Sequence, residues 1–234
     1  MGVFTFKQFS ICDDGATMKV GTDAVLLGAW PVMDHVNSIL DIGTGSGIVA
    51  LMLAQRSNPE ALIDAVELQV EDARQARANV LNSPWPEKIN VTQSRIQDFF
   101  PPKKFDLIVC NPPYFSNSLL PPLDKRGAAR HDRALTFDEL ITSSTRLLAT
   151  SGKFCVILPL AESEAFTHIA ASSNLYLQRL TRFFTRTKKL QERSLMQFGF
   201  APEPVSDNSL ILYASGNEWT KEYRELTQDF YLSW

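Results

Sequence analysis

The stretch that most constrains this chain is Phe105–Tyr114, where a short apolar run, Leu107-Ile108-Val109-Cys110, meets two consecutive prolines. A run of this kind fits a strand buried on both faces. Neither proline can donate to a sheet ladder, so the strand has to end at Asn111. A residue ahead of a proline is driven to extended geometry, which here applies to both Asn111 and Pro112. The backbone is therefore stiff where an amide side chain and an aromatic ring follow, in Asn111-Pro112-Pro113-Tyr114. In open parallel sheets, ligands bind beyond the carboxyl ends of the strands. An amide oxygen, a carbonyl and a flat ring at such an end suit a planar group bearing an exocyclic amine. The oxygens accept from its N–H groups and the ring stacks on its face. A plain Pro-rich turn after a core strand fits the same tetrapeptide, and upstream residues weigh against it.

Ser38-Ile39-Leu40-Asp41-Ile42 reads as the first core strand, running into Gly43-Thr44-Gly45-Ser46-Gly47 and a helix from about Ile48. Glycines between a strand and a helix let a ligand approach the backbone. A dinucleotide fold wants glycines at the first, third and sixth places of this turn. Here they fall at the first, third and fifth, and Ile48 takes the sixth. Asp41, just before the turn, would also repel a pyrophosphate and suits a cationic or zwitterionic ligand. The second strand, Ala61–Val66, ends in Glu67, 24 residues after Gly43. An acid there is placed to accept hydrogen bonds from ribose hydroxyls. Asp98, in the loop after a third strand at Ile89–Thr92, is positioned to take an adenine amine of such a ligand, although lone loop acids are often only solvated.

The chain's 234 residues are 44% hydrophobic and 21% charged, ordinary for one large α/β domain. A net charge of −3 excludes a protein that binds polyanions over its whole surface, so any nucleic-acid contact must be a local patch. Cys12, Cys110 and Cys155 and the three histidines, His35, His131 and His168, lack metal-type spacing. No apolar run is long enough for a bilayer and no signal-peptide pattern is read, so a cytoplasmic location is expected.

The remaining elements follow from local pattern. Apolar side chains at Phe4, Phe6, Phe9 and Ile11, the turn residues Asp13-Asp14-Gly15, and then Met18 and Val20 predict a hairpin. Thr22 or Asp23 is expected to cap a short helix over Ala24–Trp30 that Pro31 ends. This helix covers core surface or, with Lys19, Thr22 and Asp23, closes over a ligand. Val70, Ala73, the Arg77 stem, Val80 and Leu81 predict one buried helix face. A long polar loop after Tyr114 holds Lys125, Arg126, Arg130, His131 and Arg133. Thr136 with Glu139 has capping-box spacing before a helix to about Leu148, and a fifth strand over Lys153–Leu158 stops at Pro159. A helix over Glu162–Ser172, strands near Leu175–Thr185, Leu195–Phe200 and Leu210–Tyr213, and a helical tail from Glu218 to Trp234 complete the chain. Positions 179–193 hold six basic residues against one acid, Glu192. The strand and helix alternation predicts an α/β fold with a mostly parallel, doubly wound sheet.

Asp41 to Gly47, Glu67, Asp98 and Asn111-Pro112-Pro113-Tyr114 together resemble the successive motifs of class I S-adenosylmethionine-dependent methyltransferases of the N6-adenine/N5-glutamine type, over about 30–160. Phe6-Lys7-Gln8-Phe9, Met18 to Trp30, Ala129-Arg130-His131 and Leu226 to Leu232 extend the resemblance across nearly the whole chain, to the bacterial family that methylates N6 of adenine 37 in valine tRNA-1. The resemblance implies a seven-stranded Rossmann-like sheet whose last strand is antiparallel, in one domain over 1–234, with 1–30 as hairpin and lid and 31–234 as catalytic sheet. It implies S-adenosyl-L-methionine held by Lys19, Thr22, Asp41, Gly43, Gly45, Gly47, Glu67, Asp98 and Asn111. It assigns the amine to Asn111, Pro112, Pro113 and Tyr114, and a tRNA to Arg130, His131, Arg182, Arg186, Lys188, Lys189 and Arg193. A metal or membrane is not implied; oligomeric state is open, with a monomer the default. N5-glutamine methylation of a protein, or N6-adenine methylation of another RNA, uses the same motif chemistry. A nicotinamide oxidoreductase is disfavoured by Ile48 and Asp41. A non-enzymatic RNA-binding module has little use for Asp41, Glu67 and Asn111 together.

Overall fold

The computed structural model describes residues 2–13, 19–113 and 135–232. Its centre is a parallel set of strands made from the apolar runs: β3 (Ser38–Ile42), β4 (Leu62–Glu67), β5 (Ile89–Gln93), β6 (Phe105–Cys110) and β7 (Leu148–Pro159). Side-chain alternation divides these strands between two apolar layers. Ile39, Ile63, Leu107, Val109, Cys155 and Ile157 belong to one buried cluster. Leu40, Ile42, Val66, Ile108, Cys110, Phe154, Val156 and Leu158 belong to the other. The first layer also holds helices α1 (Thr22–Ala29) and α2 (Ile48–Arg56), and the second is covered by α4 (Phe137–Leu147) and α5 (Leu160–Ser172). Helix α3 (Val70–Leu81) joins β4 to β5.

The remaining strands are β8 (Tyr176–Arg186), β9 (Arg193–Gly199), β10 (Ser206–Ser215) and β11 (Glu218–Trp219). The sheet order is β11-β10-β8-β9-β7-β6-β3-β4-β5. Strand β9 is antiparallel to both neighbours, and β10 returns parallel to β8. Strands β3 to β9 make the implied seven-stranded set, its last member β9 antiparallel; β10 falls on the extended piece expected near Leu210–Tyr213, and with β11 it brings the sheet to nine strands among the described residues. The expected helical tail is accordingly replaced by β11 and a shorter helix, α6 (Lys221–Thr227), capped by the Thr220 hydroxyl.

Strands β1 (Val3–Thr5) and β2 (Ser10–Cys12) form the N-terminal hairpin. Its turn lies at Phe6–Phe9; of the expected turn Asp13-Asp14-Gly15 and the strand after it, Asp14, Gly15 and Met18 lie outside the described residues. The cause of the Phe6–Phe9 turn is packing. Phe6 and Phe9 stack with ring centroids 4.8 Å apart, both buried, while Lys7 and Gln8 point out. The chain's other end clamps this turn, with the Lys7 N–H on the Phe230 carbonyl at 2.8 Å and the Phe6 ring against Phe230 and Tyr231.

Helix α1 is buried from Ala24 onward and packs on α2 so closely that a side-chain carbon at Gly28 would lie 2.6 Å from Met52 Sδ. Its N-cap is Gly21, with no side-chain bond from Thr22 or Asp23; Asp23 instead meets the Arg193 guanidinium at 2.9 Å. The predicted Thr136–Glu139 capping box is present on α4.

Candidate active site

The sheet order reverses between β3 and β6, and at that switch point the carboxyl tips of the parallel strands meet. Ile42 pairs with Val66 on one side and Cys110 on the other. Gly43, Glu67 and Asn111 therefore emerge at one edge, each directly past a paired residue. Asp41, Gly43, Gly45, Gly47, Glu67 and Asn111, all candidates from the sequence, are brought together there.

Gly43, Gly45 and Gly47 have φ of 71°, 55° and 87°, the left-handed region that glycine enters without penalty. At Gly43 and Gly45 a side-chain carbon would meet none of the described residues within 4 Å, so the turn offers open backbone to a ligand. The Gly43 and Thr44 N–H groups bond the Val66 carbonyl at 2.8 and 3.2 Å. Glu67 steadies the turn from the next strand: one carboxylate oxygen accepts the Gly45 N–H and the other the Gln69 N–H, both at 2.9 Å. A carboxylate has about four acceptor positions, so each oxygen keeps capacity for a hydroxyl.

Asp41 is 1% exposed and receives the Thr44 hydroxyl at 2.6 Å. Burial raises its carboxyl from 3.8 to about 7, opposed by bonds from Thr44 and the Ala50 backbone and assisted by the Glu67 charge. A folded value raised this far means that the protonated form favours the fold. That contribution is fully present below 3.8 and is lost as pH rises through about 7. Asp41→Asn is thus expected to raise the ligand-free melting temperature at pH 8.5 by several degrees, with the gap shrinking toward pH 5. Thermal unfolding at both pH values checks this, and a pH-independent gap would refute it.

Asn111 sits past the end of β6 with its Oδ1 buried and without a hydrogen-bond partner among the described residues. A buried acceptor left unmade is costly in a stable fold, so it is either strained or held for a ligand. Pro112 is buried and Pro113 exposed; Tyr114, Arg130 and His131 lie outside the described residues. Asp98 is exposed at the end of a single 3₁₀ turn, Ile96–Asp98, which follows β5 at the same edge. Lys19 and Thr22 are exposed around the start of α1. Its neighbour Asp23 pairs with Arg193, the first residue of β9, opposite Pro159 at the carboxyl end of β7, which places the start of α1 at this edge too.

Strand β8 runs in the same direction as β7, so the β8–β9 turn also opens on this edge. The basic residues around it differ in what they touch. Arg179 stacks on the Trp30 ring at 4.1 Å and bonds its carbonyl, Arg182 pairs with Asp207 at 2.6 Å, and Arg186 lies over Tyr213 and bonds the Gly216 carbonyl. Lys188 and Lys189 are exposed in the turn.

Two residues with structural roles at the site escape a motif reading. Thr44 is signalled only by a hydroxyl three places after Asp41. Asn79, 4% exposed on α3, donates to the Ser46 carbonyl at 2.8 Å and bonds both backbone groups of Cys12. Its signal was a polar residue in helical register with Ala73 and Ala76. Among the described residues no group of three His, Cys, Asp or Glu side chains could hold a metal ion, and no helix is long and apolar enough to cross a membrane.

The family model described as "Methyltransferase small domain" matches residues 16–168. Proteins called tRNA1(Val) (adenine(37)-N6)-methyltransferase from Bacteroides thetaiotaomicron and Haemophilus influenzae are 41% and 40% identical to this chain. Those matches cover 98% and 99% of this chain and 97% and 99% of the relatives. Among solved structures, one described as a predicted O-methyltransferase from Agrobacterium tumefaciens has a TM-score of 0.71 at 18% identity, covering 89% of this chain and 96% of that one. A glycopeptide N-methyltransferase complexed with S-adenosyl-L-methionine has a TM-score of 0.59 at 12% identity, covering 79% and 96%. At these identities the two structures speak to fold alone.

Proposed function

We propose that this chain, which belongs to the methyltransferase small domain family, transfers a methyl group from S-adenosyl-L-methionine to the exocyclic N6 of an adenine in tRNA, adenine 37 of tRNA1(Val). The observation that carries the reading is the buried Oδ1 of Asn111 at the switch point, which has no partner among the described residues, beside an open glycine turn. That edge fits the cofactor: Asp41 and Glu67 supply acidic acceptors, and Gly43 and Gly45 leave the backbone bare. Lys19, Thr22 and Asp98 are assigned to its rim.

When bound, the cofactor supplies an electrophilic methyl group on a sulfonium. The residues of the chain do the rest by orientation and electrostatics. An aromatic exocyclic amine is a weak nucleophile because its lone pair is delocalised into the ring. Asn111 Oδ1 and the Pro112 carbonyl accept its two N–H groups and turn the lone pair toward the methyl. As positive charge grows on the nitrogen, those bonds strengthen, so the site favours the transition state over the ground state. Fixed in-line placement supplies much of the remaining acceleration. Pro112 and Pro113 hold this geometry rigid, and Tyr114 stacks on the base.

Lys188 and Lys189, with Arg130, His131, Arg182, Arg186 and Arg193, are assigned to the RNA. Arg193 also anchors α1 through Asp23, so its part is to shape the rim as much as to meet a phosphate. A tRNA substrate implies the cytoplasm. One chain supplies every residue named, so a monomer over 1–234 suffices, with 1–30 forming part of the catalytic unit. The deciding experiment is nucleoside mass spectrometry of total tRNA incubated with the protein and methyl-labelled S-adenosyl-L-methionine. Label in N6-methyladenosine at position 37 of tRNA1(Val) is expected. Label in glutamine of a protein substrate, or binding of NADH in place of the cofactor, would overturn the reading.

A further inference from the structure

We infer that Asn79 is a positioning residue for cofactor binding, its single amide fixing the glycine turn and the N-terminal strand β2 to each other. The inference rests on the reading of that turn as the cofactor cradle. Asn79 Oδ1 accepts the Cys12 N–H at 3.0 Å and the Gln75 side-chain N–H at 3.4 Å. Its Nδ2 donates to the Cys12 carbonyl at 2.9 Å and to the Ser46 carbonyl at 2.8 Å. Both donors and the acceptor of the amide are thus committed, a set that neither a carboxylate nor an apolar side chain reproduces.

Each end of this link bears on the site. Ser46 lies between Gly45 and Gly47, both in the left-handed region. Such a turn has many alternatives in the unliganded chain, and glycines widen the choice. Helix α3 presses directly on it: a side-chain carbon at Gly47 would touch Ala76 at 3.5 Å. At the other end, Cys12 precedes Asp13, whose buried Oδ2 accepts the Val20 N–H at 3.1 Å. Val20 is flanked by Lys19 and leads through Gly21, the N-cap, into Thr22 at the start of α1, so this bond bears on where both candidate rim residues sit. A continuous path of bonded groups therefore runs Ser46–Asn79–Cys12–Asp13–Val20. Removing the amide frees both sides of the cradle, and the cofactor must then reorder them on binding. The loss falls on affinity, because Asn79 does not reach the amine that Asn111 serves.

The test is Asn79→Asp in the full chain, which deletes both donors. Calorimetry with S-adenosylhomocysteine is expected to show a Kd weaker on the order of tenfold. The KM for S-adenosyl-L-methionine should rise in parallel, while kcat at saturation and the KM for tRNA stay within about twofold. A second readout needs no cofactor. Cys12 is partly buried, and Cys110 and Cys155 are fully buried. Alkylation by iodoacetamide in the ligand-free variant should therefore speed up at Cys12 alone. Unchanged cofactor affinity with a lowered melting temperature would make Asn79 merely structural, and an unchanged Cys12 rate would break the link to β2. Either overturns the inference. If the variant does not fold, Asn79→Ser, which keeps one small donor, is judged by the same two readouts. If the wild type binds no S-adenosylhomocysteine, the functional reading fails, while the Cys12 rate still reports on the Asn79 tie.

Discussion

Asn111→Ala is expected to lose on the order of a hundredfold or more in turnover while binding cofactor nearly as well as the wild type. The reason lies in where the side chain is and what it touches. Strand β6 is paired on both sides, with Cys110 opposite Ile42 of β3 and Val156 of β7, so the residue that follows it starts from a fixed point. The prolines then deny Asn111 a helical conformation. Its Oδ1 is buried without a partner among the described residues. Such an atom contributes nothing to folding and carries a desolvation cost on the order of 1–3 kcal/mol. Truncation to alanine should therefore leave the melting temperature unchanged or slightly raised, which separates this residue from an ordinary core amide. Single-turnover methylation, calorimetry and thermal unfolding on one preparation check all three statements. Near-normal turnover would remove Asn111 from the chemistry, and an equal loss in cofactor affinity would move it to the cofactor.

The elements that carry this site were the most legible in the sequence. Leu107–Cys110 and Ile39–Ile42 are short apolar runs punctuated by Pro or Gly, and both faces of such strands are buried, so periodicity and punctuation agree. The glycine turn was legible because its φ values require glycine. What failed depended on distant contacts. The Phe6–Phe9 turn went unread because Phe6-Lys7-Gln8-Phe9 holds none of the usual turn residues, and the stacked rings of Phe6 and Phe9 set it from within the core. The buried face of α3 is expected at Val70, Ala73, the Arg77 stem, Val80 and Leu81, of which Ala73 and Val80 are buried. Val70 and Leu81 are 63% and 72% exposed, and the real face is Asp72, Ala73, Ala76, Asn79 and Val80. Counting large apolar residues overlooks a face that must be small to sit against Gly47. Asp23 looked like a helix cap, but a guanidinium 170 residues away holds it instead. The same blindness applies to the basic stretch: its charges are plain in the sequence, but which of them are already occupied is decided by β10 and α1.

Lys188→Glu with Lys189→Glu is expected to raise the KM for tRNA at near-physiological salt by about tenfold or more, leaving the Kd for S-adenosyl-L-methionine unchanged. These two lysines are singled out because of their neighbours. Arg179 is spent on the Trp30 ring, Arg182 on Asp207 and Arg193 on Asp23, so those cations are partly neutralised or sterically committed by the fold. Lys188 and Lys189 follow the end of β8 in an exposed turn, on the edge of the sheet that also carries Gly43, Glu67 and Asn111. An RNA whose base reaches Asn111 passes over this edge. With a net charge of −3, the chain as a whole repels a polyanion, so local cations have to supply the attraction. Each phosphate contact releases counterions, so the loss of two should flatten the slope of log affinity against log salt by about 1.5 to 2. The charge reversal also places two carboxylates where phosphates would pass, which makes the effect larger than that of alanine substitution. The loss should be uniform across tRNA sequences, because phosphate contacts position the RNA and do not read it. Filter binding across a salt series, beside kinetics on the same variant, measures slope and KM together. Wild-type KM and an unchanged slope would show that the β8–β9 turn does not meet the RNA. A defect confined to tRNA1(Val) would instead make the turn a reader of that tRNA.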